Sequence, residues 1–296
     1  MSQEIHIQFT RFSAFYSPLI ATMAGGFLEQ EGLRPKHSVS APGTSAITGL
    51  VAGTVQVAQS APSQGFAPLE QGKTPPVLHF AQINEMDGFF LVGRSAEPKF
   101  SWDRLKGRKV IIDHAGQPMA MFKYACHKRG LPFQDIAAVD AGSTERMIEA
   151  FRKGDGDYVH LQGPAPQQLE HEGAGHIVAS LAGAVGPCAF SSLAATREWL
   201  ASDMAPRFMR AYRKARAWVI AAPAAEIAKA EAPFFPDIDP GVLTTTIATY
   251  QKLGNWSPHA EITRPAWEAT VDIFLHAGLI TRRHRYEDVI AQPAAA

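Results

Sequence analysis

Short apolar runs and longer amphipathic segments alternate along the first half of the chain. Ile5–Phe9 alternates apolar and polar residues, a period-two pattern that predicts a half-buried strand. From Ser17 onward the apolar residues recur at helical spacing, and Pro18 stands at a first helical position, where its missing N–H costs nothing. We therefore predict a helix that Ser17 caps and Gly32 ends, followed by a run into another strand.

The same alternation continues through the next segment. The loop Ala41–Ser45 is expected to cap a second helix, which Gly53 ends. The short apolar run Val55–Ala58 is typical of a buried strand, and Leu78–Ile83 and Phe89–Val92 predict two more.

A second copy of this plan follows. Val110–Asp113 and Asp157–Leu161 predict strands, Pro118 begins a predicted helix, and Gly142-Ser143-Thr144 caps another. Generic α/β punctuation could produce such matches by chance, but the glycine landmarks keep their order in both copies, so we favour a duplication. Repeated strand–helix–strand units predict an α/β fold with mostly parallel sheets flanked by helices. The last third, from about Phe190, is predicted to be helical.

Composition and charge exclude several classes of protein. Of 296 residues, 46% are hydrophobic and 19% charged, as in an ordinary globular protein. Lys plus Arg and Asp plus Glu both number 28, so a nucleic-acid partner is not expected. Two cysteines exclude a disulfide framework and a four-thiolate metal site. No apolar run reaches the ~18–20 residues of a membrane span.

The expected location depends on the first residues. Met1-Ser2-Gln3-Glu4 lacks the basic and apolar regions of a secretory leader. The interpretation is cytoplasmic if Met1 is the native start, and periplasmic if a leader has been trimmed.

The loops after the predicted strands hold the candidate site, because ligands of open parallel sheets bind at the carboxyl ends of the strands. In the first loop, Arg11 could clamp an acid group while Phe12, Phe15 and Tyr16 stack on a planar ring. The alternative is that the phenylalanines cover core and Arg11 is a surface charge. The predicted ligand-binding residues are Arg11, Phe12, Phe15, Tyr16, Gly43, Thr44, Ser45, Ser60, Ala61, His114, Gln117, Gly142, Ser143 and Gln162.

Two of these loops carry anion-binding character. Gly43-Thr44-Ser45 and Gly142-Ser143-Thr144 precede predicted helices, where free N–H groups and hydroxyls favour carboxylate, sulfonate or phosphate. Simple helix capping is the alternative. His114 follows a strand end and could donate to a ligand, although a lone histidine is more often structural.

Catalytic motifs are absent from the sequence. It has no Walker loop, no G-x-G-x-x-G, no H-E-x-x-H and no G-x-S-x-G nucleophile elbow. We therefore name no catalytic residue, metal or cofactor, and expect a binding protein more than an enzyme.

The ordered motifs resemble the SsuA/THI5-like (NMT1) family of substrate-binding proteins of ABC transporters, which have the type II periplasmic-binding-protein fold. The resemblance lies in the run from Ser17 to Leu33, in Gly43-Thr44-Ser45, in Gly53-x-Val55-x-Val57, in Leu105–Val110 and in Ala150–Asp157. It implies two α/β lobes joined by two crossings, near Gly88–Arg94 and Pro187–Leu193. Lobe I would comprise residues 1–90 and 190–296, and lobe II residues 91–189.

The resemblance also implies a function. The expected protein captures a small organic molecule, anionic or heteroaromatic and for example sulfonate- or pyrimidine-like, and delivers it to a membrane permease. An enzyme branch of the family makes the thiamine pyrimidine with a lysine, a histidine and a cysteine-rich motif. Ser60 and Gln64 stand at those lysine and histidine places here. A cytoplasmic enzyme of decarboxylase, lyase or thiamine-precursor type remains the alternative, and a ligand sensor is a third hypothesis.

Overall fold

Two five-stranded sheets form the framework of the protein. The structure is a computed structural model that describes residues 2–41 and 44–294. Its strands are β1 (Gln3–Phe9), β2 (Leu33–Val39), β3 (Val57–Ser60), β4 (Leu78–Asn84), β5 (Phe89–Gly93), β6 (Lys109–Ile111), β7 (Ala137–Val139), β8 (Tyr158–Gln162), β9 (His176–Ser180) and β10 (Ser191–Ala195).

Helices cover both sheets. They are α1 (Ser17–Ala24), α2 (Phe27–Gln30), α3 (Ile47–Val51), α4 (Phe66–Glu70), α5 (Gly116–Lys128), α6 (Thr144–Lys153), α7 (Ala165–His171), α8 (Ala182–Val185), α9 (Arg197–Leu200), α10 (Met204–Ala221), α11 (Ala224–Glu231), α12 (Pro240–Leu253), α13 (Arg264–His276) and α14 (Tyr286–Val289). Within the described residues, no helix is long and apolar enough to cross a membrane.

The two sheets have the same strand order. The first runs β2-β1-β3-β10-β4 and the second β7-β6-β8-β5-β9. In each, the first three strands in this order are parallel, and one strand from the other half of the chain is inserted antiparallel: β10 in the first sheet and β5 in the second. The predicted two-lobed α/β fold is confirmed, and the matching topologies support the duplication.

Strand boundaries differ from prediction by a few residues, and the strands β7, β9 and β10 have no predicted range. The strand predicted at Val55–Ala58 lies at Val57–Ser60. Gln59 and Ser60 are therefore part of β3 and not of the loop that follows this strand. The strand β10 falls in the third predicted to be helical. Its Ser-Ser-Leu-Ala-Ala sequence lacks the β-branched residues that mark strands. Contacts with residues distant in sequence stabilise the strand instead. Ser192 Oγ lies 2.7 Å from Nδ1 of the buried His79.

Two predicted helix starts are also wrong. Ser17 is the first residue of α1 and not its cap; its hydroxyl oxygen lies 2.8 Å from both the Ala14 carbonyl and the carboxyl group of buried Glu231. The helix is interrupted after Ala24, because Gly26 adopts a positive φ of 68°. In the second unit, α5 begins two residues before Pro118, at Gly116.

Two segments carry the chain between the sheets. One joins β4 to β5, and the other joins β9 to β10. Aromatic packing is continuous across them, with ring centroids 5.5 Å apart for Phe15 and Phe190 and 5.0 Å apart for Phe15 and Tyr250. Lobe boundaries at residues 90 and 190 remain a prediction.

Asp87 lies in the first crossing segment and is fully buried. One carboxylate oxygen accepts from the Phe89 N–H at 2.7 Å, while the other has no partner among the described residues. Burial raises the pKa of Asp87 to about 7, although the Phe89 N–H opposes that rise. The carboxyl group is therefore neutral in mild acid and charged in mild base.

We expect Asp87→Asn to flatten the dependence of stability on pH. Because the folded pKa lies above the unfolded value, Asp87 stabilises the fold at low pH, and this stabilisation is lost as pH rises through about 7. Between pH 5 and pH 8 the free energy of unfolding of the wild type, measured with urea, should fall by about 2 kcal/mol, whereas that of the variant should not show this fall. Asp155→Asn, at an exposed aspartate, is the control; an equal pH slope in both variants would contradict the prediction.

Candidate ligand-binding cleft

A cavity of about 390 Å³ lies between the two sheets. The carboxyl ends of β1, β3 and β8 point toward it, together with the start of α5 and the second crossing segment, as the loop rule for parallel sheets predicts. Its lining residues are Thr10, Arg11, Tyr16, Thr44, Ser45, Gln59, Ser60, Ala61, Ser63, Gln64, Phe89, Ala115, Gly116, Gln117, Pro118, Gln162, Phe190, Ser191 and Phe274.

More than half of the predicted ligand-binding residues line this cavity. They are Arg11, Tyr16, Thr44, Ser45, Ser60, Ala61, Gln117 and Gln162. Both halves of the chain contribute to this set. Their role in binding stays a prediction, but the structure places them around one space.

The phenylalanines of the first loop lie elsewhere. Phe15 is completely buried and packs edge-on against Phe190, so it belongs to the core between the lobes. Phe12 lines a neighbouring cavity and contacts Phe9, with ring centroids 4.8 Å apart. The alternative interpretation, in which both phenylalanines cover the core, fits Phe15. It fits Phe12 only on the side that contacts Phe9, because Phe12 also lines a cavity.

Three other predicted residues, His114, Gly142 and Ser143, do not line the cavity. The ring of His114 turns back onto its own strand, where Nδ1 lies 2.7 Å from the Ile112 carbonyl. Ser143 caps α6 by accepting from the Arg146 N–H, and Gly142 precedes it in that turn. Gly43 lies outside the described residues. Ser45 accepts from the Ile47 N–H, but the cap of the short helix α3 is Ala46.

Sequence reasoning missed residues of two kinds. Gln59, Ser63 and Gln64 lie at or beside the loop after β3, so the strand-end rule was able to find them. Phe190 and Phe274 enter from the second crossing segment and from α13, and no local pattern in the sequence marks them as cleft residues.

An ion pair crosses the cleft between the lobes. Arg11, in the loop after β1, donates to Asp113 Oδ2 at 2.6 Å, and Asp113 Oδ1 accepts from the Ala115 N–H at 3.0 Å. Burial works to raise the pKa of Asp113, but the Arg11 guanidinium and the Ala115 N–H hold it below the usual range. Arg11 in turn has a raised pKa, because the carboxylate outweighs the burial. Both groups are therefore charged.

Neutral hydrogen bonds also join the lobes. Ser63 donates to Gln117 Oε1 at 2.6 Å, and Gln117 Nε2 donates to the Phe190 carbonyl at 2.8 Å. Ser13 donates to the Gly163 carbonyl, and the Gly163 N–H donates to the Tyr250 hydroxyl at 2.9 Å. These contacts hold the cleft in a closed arrangement.

Two buried polar atoms of the cavity wall have no protein partner among the described residues. They are Ser60 Oγ and Gln162 Oε1, on residues 3% and 6% exposed. Burial of such atoms costs free energy unless something bonds to them. Tyr16 adds a hydroxyl, and burial raises its pKa, so it is protonated and able to donate.

Behind the Phe89 wall lies His160. The two rings stack with centroids 4.4 Å apart, and the histidine is fully buried. Burial lowers the pKa of His160 to about 3, so the ring is neutral at physiological pH. It supports the wall of the cavity and does not line it.

A second cavity of about 610 Å³ lies on the other side of Arg11. Thr10, Arg11 and Gln162 line both spaces, so they form the partition between them. The outer space is bounded by Phe12, from the loop after β1, and by Phe234 and other residues of the loop before α12. We call the cavity of about 390 Å³ the inner compartment of the cleft and the cavity of about 610 Å³ its outer compartment.

No metal or thiol chemistry is evident in the described part of the chain. It holds no group of three or more His, Cys, Asp or Glu residues able to bind a metal ion. Cys126 and Cys188 are buried, and burial raises the pKa of Cys126 to about 12 and that of Cys188 well above the usual value. Both thiols stay protonated and unreactive.

These features define a two-lobed α/β protein with the periplasmic-binding-protein fold. The family described as NMT1/THI5 like matches residues 14–226. The chain belongs to this family, as the sequence motifs predicted. A Bacillus subtilis (strain 168) protein named "Putative binding protein YtlA" is 30% identical over 96% of this chain and 86% of its own length.

Solved structures share the fold at low sequence identity. The ligand-binding component of an ABC-type import system from Staphylococcus aureus, with zinc bound, superposes with a TM-score of 0.79 at 14% identity, covering 98% of this chain and 97% of that one. The periplasmic aliphatic sulphonate binding protein SsuA from Escherichia coli gives 0.74 at 14% identity, covering 100% and 94%.

We expect Gln117→Ala to loosen the closed cleft. The change removes a hydrogen bond to Ser63 and another to the Phe190 carbonyl, and each contributes about 1 kcal/mol. Small-angle X-ray scattering should show a larger radius of gyration than for the wild type. Gln64→Ala is the matched control, since Gln64 lines the same cavity but its exposed amide makes no hydrogen bond in the described structure. Identical scattering from both variants would contradict the prediction.

Proposed function

We propose that the protein is the solute-binding component of an ABC-type importer and captures a small organic molecule between its lobes. One observation carries this proposal. A cavity of about 390 Å³ lies between the two sheets, is bridged by contacts between the lobes, and is lined by aromatic rings and by uncharged polar side chains. Such a space, apolar with a few convergent polar groups, is typical of a ligand site.

Family membership supports the same proposal. The related Bacillus subtilis protein carries the name of a binding protein, and the structural neighbours include components of import systems. A permease is accordingly the proposed partner, and an extracytoplasmic face of the membrane is the proposed place of action.

The walls of the cavity favour a planar molecule with polar edges. Tyr16, Phe89 and Phe190 supply aromatic surface. Serine, threonine and glutamine side chains supply hydrogen-bonding groups around it. This combination suits the heteroaromatic class among the ligands that the sequence suggested.

An enzyme on the same scaffold is less well supported. The described lining of the cavity contains no His, Cys, Lys, Asp or Glu side chain. General acid–base catalysis and an activated nucleophile both require a titratable group at the reacting atoms. The titratable groups of the described lining are Arg11 and Tyr16, and both have raised pKa values, so they stay protonated and neither is a base for Ser60 or Ser63. Binding without turnover is therefore the function that the site favours.

A thermal-shift screen of uncharged nitrogen heterocycles and of sulfonates tests this function. A true ligand at ~100 times its Kd should stabilise the fold by about 2.7 kcal/mol, and it should be recovered unchanged. Gln162→Ala should weaken its binding about tenfold, because the variant lacks an amide side chain of the cavity wall.

The control is Gln168→Ala, a glutamine that lines only the outer compartment. Conversion of the ligand to a product would favour the enzyme. Equal affinity of the two variants would place binding outside the inner cavity.

A further inference from the structure

Asp113 occupies a position that would otherwise attract an anion. Its carboxylate lies between the Arg11 guanidinium, at 2.6 Å, and the Ala115 N–H, at 3.0 Å. Ala115 is the cap residue of the 13-residue helix α5, whose first residues line the cavity. An arginine fork beside a helix N-terminus is the arrangement that binds carboxylate, sulfonate or phosphate in proteins.

The chain itself supplies the anion for this arrangement. The Asp113 side chain is only 8% exposed, and its pair with Arg11 is charged on both sides. Because the two charges cancel, the cleft carries no free positive group at this place. An anionic ligand bound to the remaining N–H groups of Arg11 would place a second negative charge beside the buried Asp113 carboxylate, and this repulsion is costly.

The other polar side chains of the inner cavity carry no charge. Arg11 is the only charged residue of its described lining. The backbone N–H groups of Thr10 and Arg11 are already bonded to Gln59 Oε1, at 3.1 and 3.3 Å. These two N–H groups are therefore not available to an anion.

We propose that the ligand of this cleft is an uncharged molecule, and that Asp113 is the specificity-determining residue that excludes anions. This inference rests on the proposed function, since it names the ligand class of the same site. It sets this chain apart from the structural neighbour that is named for sulphonate binding.

Removal of the carboxylate should convert the cleft into an anion site. We would compare wild type and Asp113→Ala by thermal shift and calorimetry with acetate and with methanesulfonate, using sodium chloride of equal ionic strength as baseline. Asp113→Ala should be destabilised and then stabilised again by either anion in a saturable manner, with at least tenfold higher affinity than wild type. Asp140→Ala, which removes an aspartate 59% exposed at the same edge, should behave as wild type.

The charge of Arg11 must account for that gain. In the double variant Arg11→Met/Asp113→Ala, anion binding should fall back to the wild-type level. If Asp113→Ala does not fold, Asp113→Asn retains the shape and removes the charge, and the same gain is expected. Wild-type protein that binds methanesulfonate as tightly as the variants would overturn the proposal, as would folded Asp113 variants that gain no anion binding. These results do not depend on the natural solute, so they are separate from failure of the proposed function.

Discussion

The exchange of one strand between the two halves of the chain is the constraint on which the architecture depends. Strand β10 inserts antiparallel into the first sheet and β5 into the second, so neither sheet is complete without the other half. The exchange fixes both crossing segments between the sheets, where buried Phe15 and Phe190 join the cores. The carboxyl ends of the parallel strands then face one common space, and the cleft is a consequence of topology.

The contacts that close this cleft differ in physical character. The Ser63–Gln117 bond is neutral, so its loss on opening is compensated by water. The Arg11–Asp113 pair is a charged contact, and opening the lobes would rehydrate both ions. Buried pairs gain little net stability because desolvation offsets attraction, but they penalise wrong arrangements strongly. The pair therefore acts more on the selection of the closed geometry than on overall stability. A ligand shifts the balance between open and closed forms only by contacts it makes in the closed one.

Local patterns in the sequence were sufficient for seven of the ten described strands and for most of the loops that line the cleft. Periodicity located β1 and the loop after it, and the strand-end rule brought Tyr16 and Gln162 to the same cavity. The rule does not say which way a side chain turns: Phe15 enters the core and His114 bends back onto its strand. Strand β10 was missed because its stability comes from partners distant in sequence. Asp113 was missed for the same reason, since its partner Arg11 lies 102 positions away.

The duplicated topology explains why these two charges meet. β1 and β6 hold equivalent places in their sheets, and the loops that follow them carry Arg11 and Asp113 respectively. Equivalent loops of two facing lobes approach each other across the cleft, so opposite charges at equivalent places form a pair where like charges would force the lobes apart. The same reasoning applies to β3 and β8, which end at Ser60 and Gln162, the two wall residues with unpartnered atoms. One repeated framework thus provides two pairs of side chains: a charged pair that satisfies itself, and a neutral pair in the wall of the cavity.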